Sequence, residues 1–292
     1  MKRVFLPFVF ACLCFGISSY AWAQVATEPT QSNNPFTDPA PTPAPATTAP
    51  ATSAAVMAPA NPNPMLDFTK YFAQQAATIS AADGTQAQLT YFMFAPVVPA
   101  AAGTKFPLIL VLQDASGEAY AGRYLITETV RNAFPAYVMV PALPANYRWA
   151  EPGNPKPTHA LSYAVQIIKQ LTAMNPAIDS KRIYVIGCGP GGNGAYGAAQ
   201  LYSDVFAAAV PIAASWNARE VSNMKNVPIA AFHGVNDVTV PLANSSDTIA
   251  MVQHDGGTAF FTRYENMAHD CSSDRIYNDL LWKWLFAQKK AP

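Results

Sequence analysis

One glycine-rich turn in the chain has the residue types and spacing of a site for nucleophilic catalysis. The turn reads GCGPG at 187–191, after an apolar run at 183–186 that is typical of a buried strand. A run of small residues at 195–201 follows and is typical of a helix. Strand, sharp turn and helix make up the G-x-S-x-G motif, whose central serine attacks an acyl group. Gly189 stands at the central position, so the sequence predicts a nucleophile elbow without its nucleophile.

The next position carries a second substitution that affects the same chemistry. In this motif the residue after the serine donates its backbone N–H to the oxyanion that forms during acyl transfer. Here that residue is Pro190, which has no N–H to donate. The turn therefore predicts the right backbone for acyl transfer and the wrong residues for carrying it out.

The elements around this turn alternate between strand and helix, which favours an α/β domain. The run at 106–113 is continuously apolar, as expected of a strand that is buried on both faces. The strands are predicted at 77–80, 86–94, 106–113, 136–140, 183–186, 206–212, 228–232 and 259–264. The helices are predicted at 117–132, 159–174, 195–201 and 277–288. The first two strands flank the turn Ala-Asp-Gly-Thr and predict a β-hairpin.

Five stretches of sequence carry a resemblance to a known family. They are KFPLILVLQD at 105–114, RIYVIGCGPGGNGAY at 182–196, FAAAVPIA at 206–213, VPIAAFHGVNDVTVP at 227–241 and YENMAHDCSSDRIYND at 264–279. With them, residues 86–288 resemble α/β-hydrolases of the secreted esterase, polyhydroxybutyrate-depolymerase and predicted-peptidase type. The resemblance implies a single-domain α/β-hydrolase fold, with a mostly parallel sheet and helices on both faces. It also implies the order elbow, acid, histidine along the chain.

The same resemblance assigns roles to two further residues. Asp237 matches the acid of the catalytic triad, which holds the histidine tautomer and stabilises the imidazolium. His269 matches the general base. His233 is interpreted as a structural residue that supports the turn after its strand, and His159 and His254 as surface residues.

The sequence departs from this family at three places that bear on one transition state. Gly189 replaces the serine, whose loss from a related triad lowers turnover by about 10⁶-fold, or about 8 kcal/mol. Pro190 removes an oxyanion donor worth about 3 kcal/mol. Gln113 and Asp114 replace a His-Gly pair beside the loop that supplies the other donor, where an Asp opposes a developing negative charge. The departures favour a catalytically impaired hydrolase homologue that binds a small ligand, a polymer end or a partner protein.

The competing hypothesis is an active esterase-like or peptidase-like hydrolase with a relocated nucleophile. Cys188 precedes the elbow centre by one position, where side chains normally point into the core between sheet and helix. Ser116 follows Gln113 and Asp114 in the loop near the expected site, within possible reach of His269. A lone serine in a loop is more often a turn former. A fluorophosphonate probe separates the two hypotheses.

The mature chain is expected to contain two cysteines, Cys188 and Cys271, which predict a disulfide in an oxidising compartment. The resemblance implies that the two lie close together, because some feruloyl esterases and tannases join a Cys before the serine to one after the histidine. Here Asp270 is inserted in that spacing. Two separate buried thiols remain the alternative.

The N-terminal part of the chain predicts export. Residues 1–23 read as a signal peptide, with Lys2 and Arg3 before an apolar run and Ala-Trp-Ala at 21–23. A lipoprotein signal ending at Cys12 is the less favoured alternative. Residues 24–64, rich in Pro, Ala and Thr, predict a disordered linker with nothing to bury. The globular domain is expected at 65–292, in a periplasmic or secreted protein with no membrane span in the mature chain.

Composition argues against several other functions. The chain has a formal net charge of +0 and no basic run, which makes nucleic acid an unexpected partner. No short His/Cys/Asp spacing typical of zinc is present, so neither a metal nor a cofactor is predicted. The expected partner is an unknown small ligand or an ester-like or peptide-like substrate.

Overall fold

A computed structural model describes residues 34–36, 68–80, 84, 86–144, 146–151 and 160–290 of the chain. The predicted signal peptide at 1–23, most of the predicted linker and His159 lie outside the described residues. Within the described part of the chain, no helix is both long and apolar enough to cross a membrane.

The centre of the molecule is one eight-stranded sheet in the order β1-β2-β4-β3-β5-β6-β7-β8. The strands are β1 (Ala73–Ser80), β2 (Gln86–Phe94), β3 (Phe106–Leu112), β4 (Tyr137–Pro141), β5 (Ile178–Cys188), β6 (Ala208–Ile212), β7 (Ile229–Gly234) and β8 (Ala259–Tyr264). β1 and β2 pair antiparallel, as do β2 and β4. Every pair from β4 through β3 to β8 is parallel. The carboxyl ends of these parallel strands therefore meet at one edge, where the candidate site lies.

Helices cover both faces of the sheet and bury its apolar strands. They are α1 (Phe68–Tyr71), α2 (Tyr120–Leu125), α3 (Glu128–Ala133), α4 (Ala160–Met174), α5 (Pro190–Leu201), α6 (Ala243–His254) and α7 (Asp279–Ala287). On one face, residues of α4, α5 and α6 pack on the sheet in one apolar core. On the other face, residues of α2 and α7 form a second core. The predicted architecture, a mostly parallel sheet between two helical layers, is confirmed.

Three helical regions of the structure differ from the prediction. The helix expected at 117–132 is divided into α2 and α3, and between them Thr127 donates its hydroxyl to Tyr124 O at 2.7 Å. α5 begins at Pro190 rather than at 195, because a proline fits the first helical position, where no N–H partner is needed. α6 was not predicted, since its sequence ANSSDTIAMVQH is largely polar and has little helical periodicity.

Residues 34–36 fall within the predicted linker yet pack against the domain. Asn34 donates its side-chain amide to Phe261 O at 2.9 Å and to Thr262 Oγ1 at 3.1 Å, both on the edge strand β8. The buried ring of Phe36 lies 5.2 Å from the ring of Phe232. The expectation that this part of the chain buries nothing is therefore wrong at Asn34 and Phe36. A single aromatic residue in a Pro-rich stretch gives no periodic signal, which is why the sequence did not predict it.

Candidate active site

The turn between β5 and α5 has the sharp backbone of a nucleophile elbow. Gly189 follows the last residue of β5 with φ 53° and ψ −121°, a left-handed conformation that side-chain-bearing residues rarely adopt. Strand and helix approach so closely that a Cβ on Gly187 would lie 2.3 Å from Gly191 O. Glycine is therefore required at 187, and the elbow backbone predicted from the motif is present.

The centre of the turn faces the imidazole of His269. A Cβ built on Gly189 would lie 3.3 Å from Nε2 and 3.7 Å from Cε1 of this histidine. A side chain at 189 would consequently point directly at Nε2, the nitrogen that accepts a proton from the nucleophile in a catalytic triad.

The other ring nitrogen of His269 is bound to the predicted acid. Nδ1 lies 2.8 Å from Asp237 Oδ2, and Oδ1 of the same carboxylate accepts the backbone N–H groups of Thr239 and Val240 at 2.8 Å each. Burial alone raises the pKa of Asp237, but these hydrogen bonds outweigh it and hold the pKa below its ordinary value. An ionised Asp237 fixes the proton of His269 on Nδ1 and leaves Nε2 as an acceptor. The side chain of His269 is 26% exposed, so part of the imidazole is in contact with solvent.

Two connections hold the His269 loop against the rest of the site. Asn236 donates its backbone N–H to Met267 O at 2.9 Å, which joins the acid turn to the histidine loop. Cys188 and Cys271 form a disulfide with a Cα–Cα distance of 5.6 Å. The predicted disulfide is confirmed, and it joins the end of β5 to the loop that carries His269.

Comparison with known proteins connects this architecture to esterases. A "Probable carboxylesterase SOBER1-like" protein of Arabidopsis thaliana is 25% identical over 159 residues, which is 52% of this chain and 58% of the relative. The crystal structure of a thermostable esterase matches with a TM-score of 0.65 and 25% identity over 76% of this chain and 64% of that one. The fold is that of the α/β-hydrolases.

Further results restrict what the comparisons show about this chain to its fold and its likeness to esterases. An acylaminoacyl peptidase of Pyrococcus horikoshii matches with a TM-score of 0.52 and 15% identity, covering 74% of this chain and 40% of that one. At this identity the likeness concerns the fold. No family model matches the sequence. The chain spans less than two thirds of the length of the carboxylesterase relative and of the thermostable esterase.

The loop after β3 is held by hydrogen bonds between its own residues. The N–H of Asp114 donates to Glu118 O at 2.9 Å, and its carboxylate accepts both the N–H and the hydroxyl of Ser116. Gln113 donates its amide to Gly117 O at 2.9 Å. The carboxylate of Asp114 caps this turn, and its opposition to an oxyanion stays a prediction.

The two candidates for a relocated nucleophile are both engaged elsewhere. The sulfur of Cys188 is bonded to Cys271, which leaves no thiol for nucleophilic attack. The hydroxyl of Ser116 donates to Asp114 Oδ1 at 2.7 Å rather than to an imidazole nitrogen.

The sequence underestimated the contacts of His233 within the site. It is buried, with Nε2 2.9 Å from Val240 O and 3.2 Å from Asp237 Oδ2, and Nδ1 3.0 Å from Ser245 Oγ. Burial lowers the pKa of His233 and favours the neutral ring. A neutral His233 with its proton on Nε2 donates to the acid turn, so it supports the residue that orients His269. His254 is exposed beside Asp255, at 3.2 Å.

Proposed function

We propose that this protein is an exported α/β-hydrolase homologue that has lost serine-type turnover. In this proposal it uses the site around Asp237 and His269 to bind a small ligand, such as an ester-like or peptide-like group. The fold and the esterase relatives supply the hydrolase ancestry. The predicted signal peptide and the disulfide between Cys188 and Cys271 are compatible with export.

One observation carries the proposal. The elbow backbone at Gly189 is kept in its unusual conformation and aimed at Nε2 of His269, yet the residue there has no side chain to act as a nucleophile. Because the geometry is kept without the serine, we favour a retained ligand-binding site over an active site with a relocated nucleophile. The partly exposed side chain of His269, with Nε2 as an acceptor, suits a ligand that donates a hydrogen bond.

The oxyanion donors support the same conclusion. Pro190 has no N–H at the position after the elbow centre, and Gln113 and Asp114 replace a His-Gly pair beside the loop that would supply the other donor. One missing donor typically lowers kcat by about 10²-fold to 10³-fold. A water activated by His269 would therefore attack an acyl group whose developing charge lacks the donor at position 190.

The test is ester hydrolysis by the mature wild-type protein. We expect no turnover of short p-nitrophenyl esters above that of the heat-denatured protein, and no labelling by a fluorophosphonate probe. The His269→Ala variant should then give the same baseline. Robust turnover that disappears in His269→Ala would overturn the proposal.

The probe also tests the relocated nucleophile. Labelling of the folded wild-type protein that is lost on denaturation and in Ser116→Ala would establish the active-hydrolase alternative. Ser246→Ala, which changes a half-buried serine on α6, serves as the matched control and should leave any labelling unchanged.

A further inference from the structure

Three potential metal ligands meet beside the elbow. The sulfurs of Cys188 and Cys271 and a ring nitrogen of His269 all lie within 4.8 Å of one another. The Nδ1 atom of His269 is occupied by Asp237, which leaves Nε2 as the nitrogen available to an ion. In the oxidised protein the two sulfurs are bonded to each other and cannot bind a metal as thiolates.

We propose that reduction of the Cys188–Cys271 disulfide creates a Zn²⁺ site with both thiolates and His269 Nε2 as its ligands. A dithiol reductant supplies two electrons and becomes a disulfide, while the protein gains two thiols. Binding of Zn²⁺ then releases one proton from each thiol. This inference does not depend on the proposed function, because it concerns the reduced protein and metal rather than an acyl ligand.

The donor spacing suits this ion. Zinc bound tetrahedrally at about 2.3 Å from sulfur and about 2.0 Å from nitrogen requires ligand atoms about 3.5–3.8 Å apart. The two sulfurs and a ring nitrogen of His269 start within 4.8 Å of one another, and the two cysteine Cα atoms are 5.6 Å apart. Side-chain rotation that separates the sulfurs is sufficient, and the backbone can stay in place. Two thiolates and an imidazole select zinc over calcium or magnesium, which prefer oxygen.

The backbone on each side of the disulfide is held independently of the sulfur bond. Cys188 ends β5 and is paired with Ile212 of β6 in the sheet. The carbonyl of Cys271 accepts the hydroxyl of the buried Tyr277 at 3.0 Å. After reduction these contacts keep the two sulfurs close to His269.

The surroundings of His269 resemble those of a metal-binding histidine. Such a histidine usually donates its second N–H to a carboxylate, which fixes the tautomer and strengthens the ligand. Asp237 provides this contact at 2.8 Å. Gly189 adds no side chain next to Nε2, so the fourth position of the ion is left for water or substrate. Three protein ligands with one open position are the arrangement of catalytic rather than structural zinc sites.

The experiment uses the mature protein reduced by a dithiol under native conditions and separated from the reductant without oxygen. We expect one Zn²⁺ per chain in competition with a chromophoric chelator. Co²⁺ should give thiolate-to-metal charge-transfer absorption. The oxidised protein should bind neither ion. Affinity should fall at least about 10-fold in His269→Gln and about 10-fold to 100-fold in Asp237→Asn.

Controls make each outcome decisive. His254→Gln changes an exposed histidine away from the cluster and should leave zinc affinity unchanged. Far-UV circular dichroism should show that the reduced apo protein is folded. Unfolding on reduction, equal zinc binding by oxidised and reduced protein, no binding after reduction, or full affinity in His269→Gln would each overturn the proposal.

Discussion

Gly189 differs from a working nucleophile by one hydroxymethyl group, because the backbone and the base are already arranged around it. A Cβ at this position points at His269 Nε2 from 3.3 Å. The pairing of His269 with Asp237 could be predicted through the family resemblance, since the motifs around both residues are preserved. The hydrogen bonds of Asp114 and His233 could not, because they depend on where Glu118, Val240 and Ser245 lie in space.

Restoring the missing groups should restore reactivity. We expect the variant Gly189→Ser with Pro190→Met to gain fluorophosphonate labelling and slow hydrolysis of p-nitrophenyl esters. Gly189→Ser alone should be about 10²-fold slower, because the oxyanion donor is still absent. A serine at φ 53° also lowers the free energy of unfolding by about 1–3 kcal/mol, measurable by urea denaturation.

The control for this gain is addition of His269→Ala to the double variant, which should abolish labelling. Pro190→Met alone should stay at the wild-type baseline. A folded double variant with no labelling would mean that the site lacks triad geometry.

The buried histidine and acid make stability dependent on pH. Burial lowers the folded pKa of His233, so the unfolded chain takes up a proton near pH 6.5 before the folded site does. The free energy of unfolding should therefore fall as pH drops below about 6.5. The pKa of Asp237 is also lowered, and its contribution is lost as pH falls below about 4.

Urea denaturation at pH 7.5, 6 and 5 checks this prediction. His233→Gln should be less stable at pH 7.5 and should lose less stability between pH 7.5 and pH 5 than the wild type. The surface variant His254→Gln should keep the wild-type profile. A wild-type unfolding free energy that is constant over this range would contradict the assignment.

At the scale of elements, the disulfide joins two structures that the chain separates widely. Cys188 ends β5 and Cys271 lies 83 residues later. The sequence could predict the pairing because the resemblance brings elbow and histidine loop together. It missed α6, whose polar residues lack a strong apolar face, and it placed the start of α5 late, because glycine-rich sequence has low helix propensity.

Removing the disulfide should cost substantial stability. In the chain-entropy model, opening a loop of this length lowers the free energy of unfolding by up to about 4.5 kcal/mol. We expect the Cys188→Ser, Cys271→Ser double variant to unfold at lower urea concentration and with a larger m-value, because the unfolded chain without the cross-link exposes more surface. The single variants Cys188→Ser and Cys271→Ser, each of which also lacks the disulfide, are measured alongside the double variant. Equal midpoints for wild type and double variant would exclude a stabilising role.

At the scale of the whole molecule, the two apolar cores enclose the sheet, and residues 34–36 extend the second one. Phe36 belongs to the core beneath α7, where its ring lies 5.7 Å from the ring of Trp284. Asn34 binds Phe261 O on the edge strand β8, and proteins generally cover such edges. A segment that precedes the domain in sequence thus completes part of its packing.

This docking predicts a measurable loss of stability when the segment is removed. Burial of a phenylalanine side chain contributes about 1.5–3 kcal/mol, and for a domain of this size each kcal/mol corresponds to about 2–4 °C in Tm. We expect Phe36→Ala to melt about 3–12 °C below the mature wild type, and a truncated protein that begins at Met65, which also lacks the hydrogen bonds of Asn34, to melt at least as far below it. A truncated protein that begins at Gln31 keeps Asn34 and Phe36 and should melt at the wild-type temperature. Differential scanning calorimetry of these three variants and the mature wild type tests the prediction. An unchanged Tm for the Met65 protein would mean that the contacts of Phe36 add nothing to the stability of the domain.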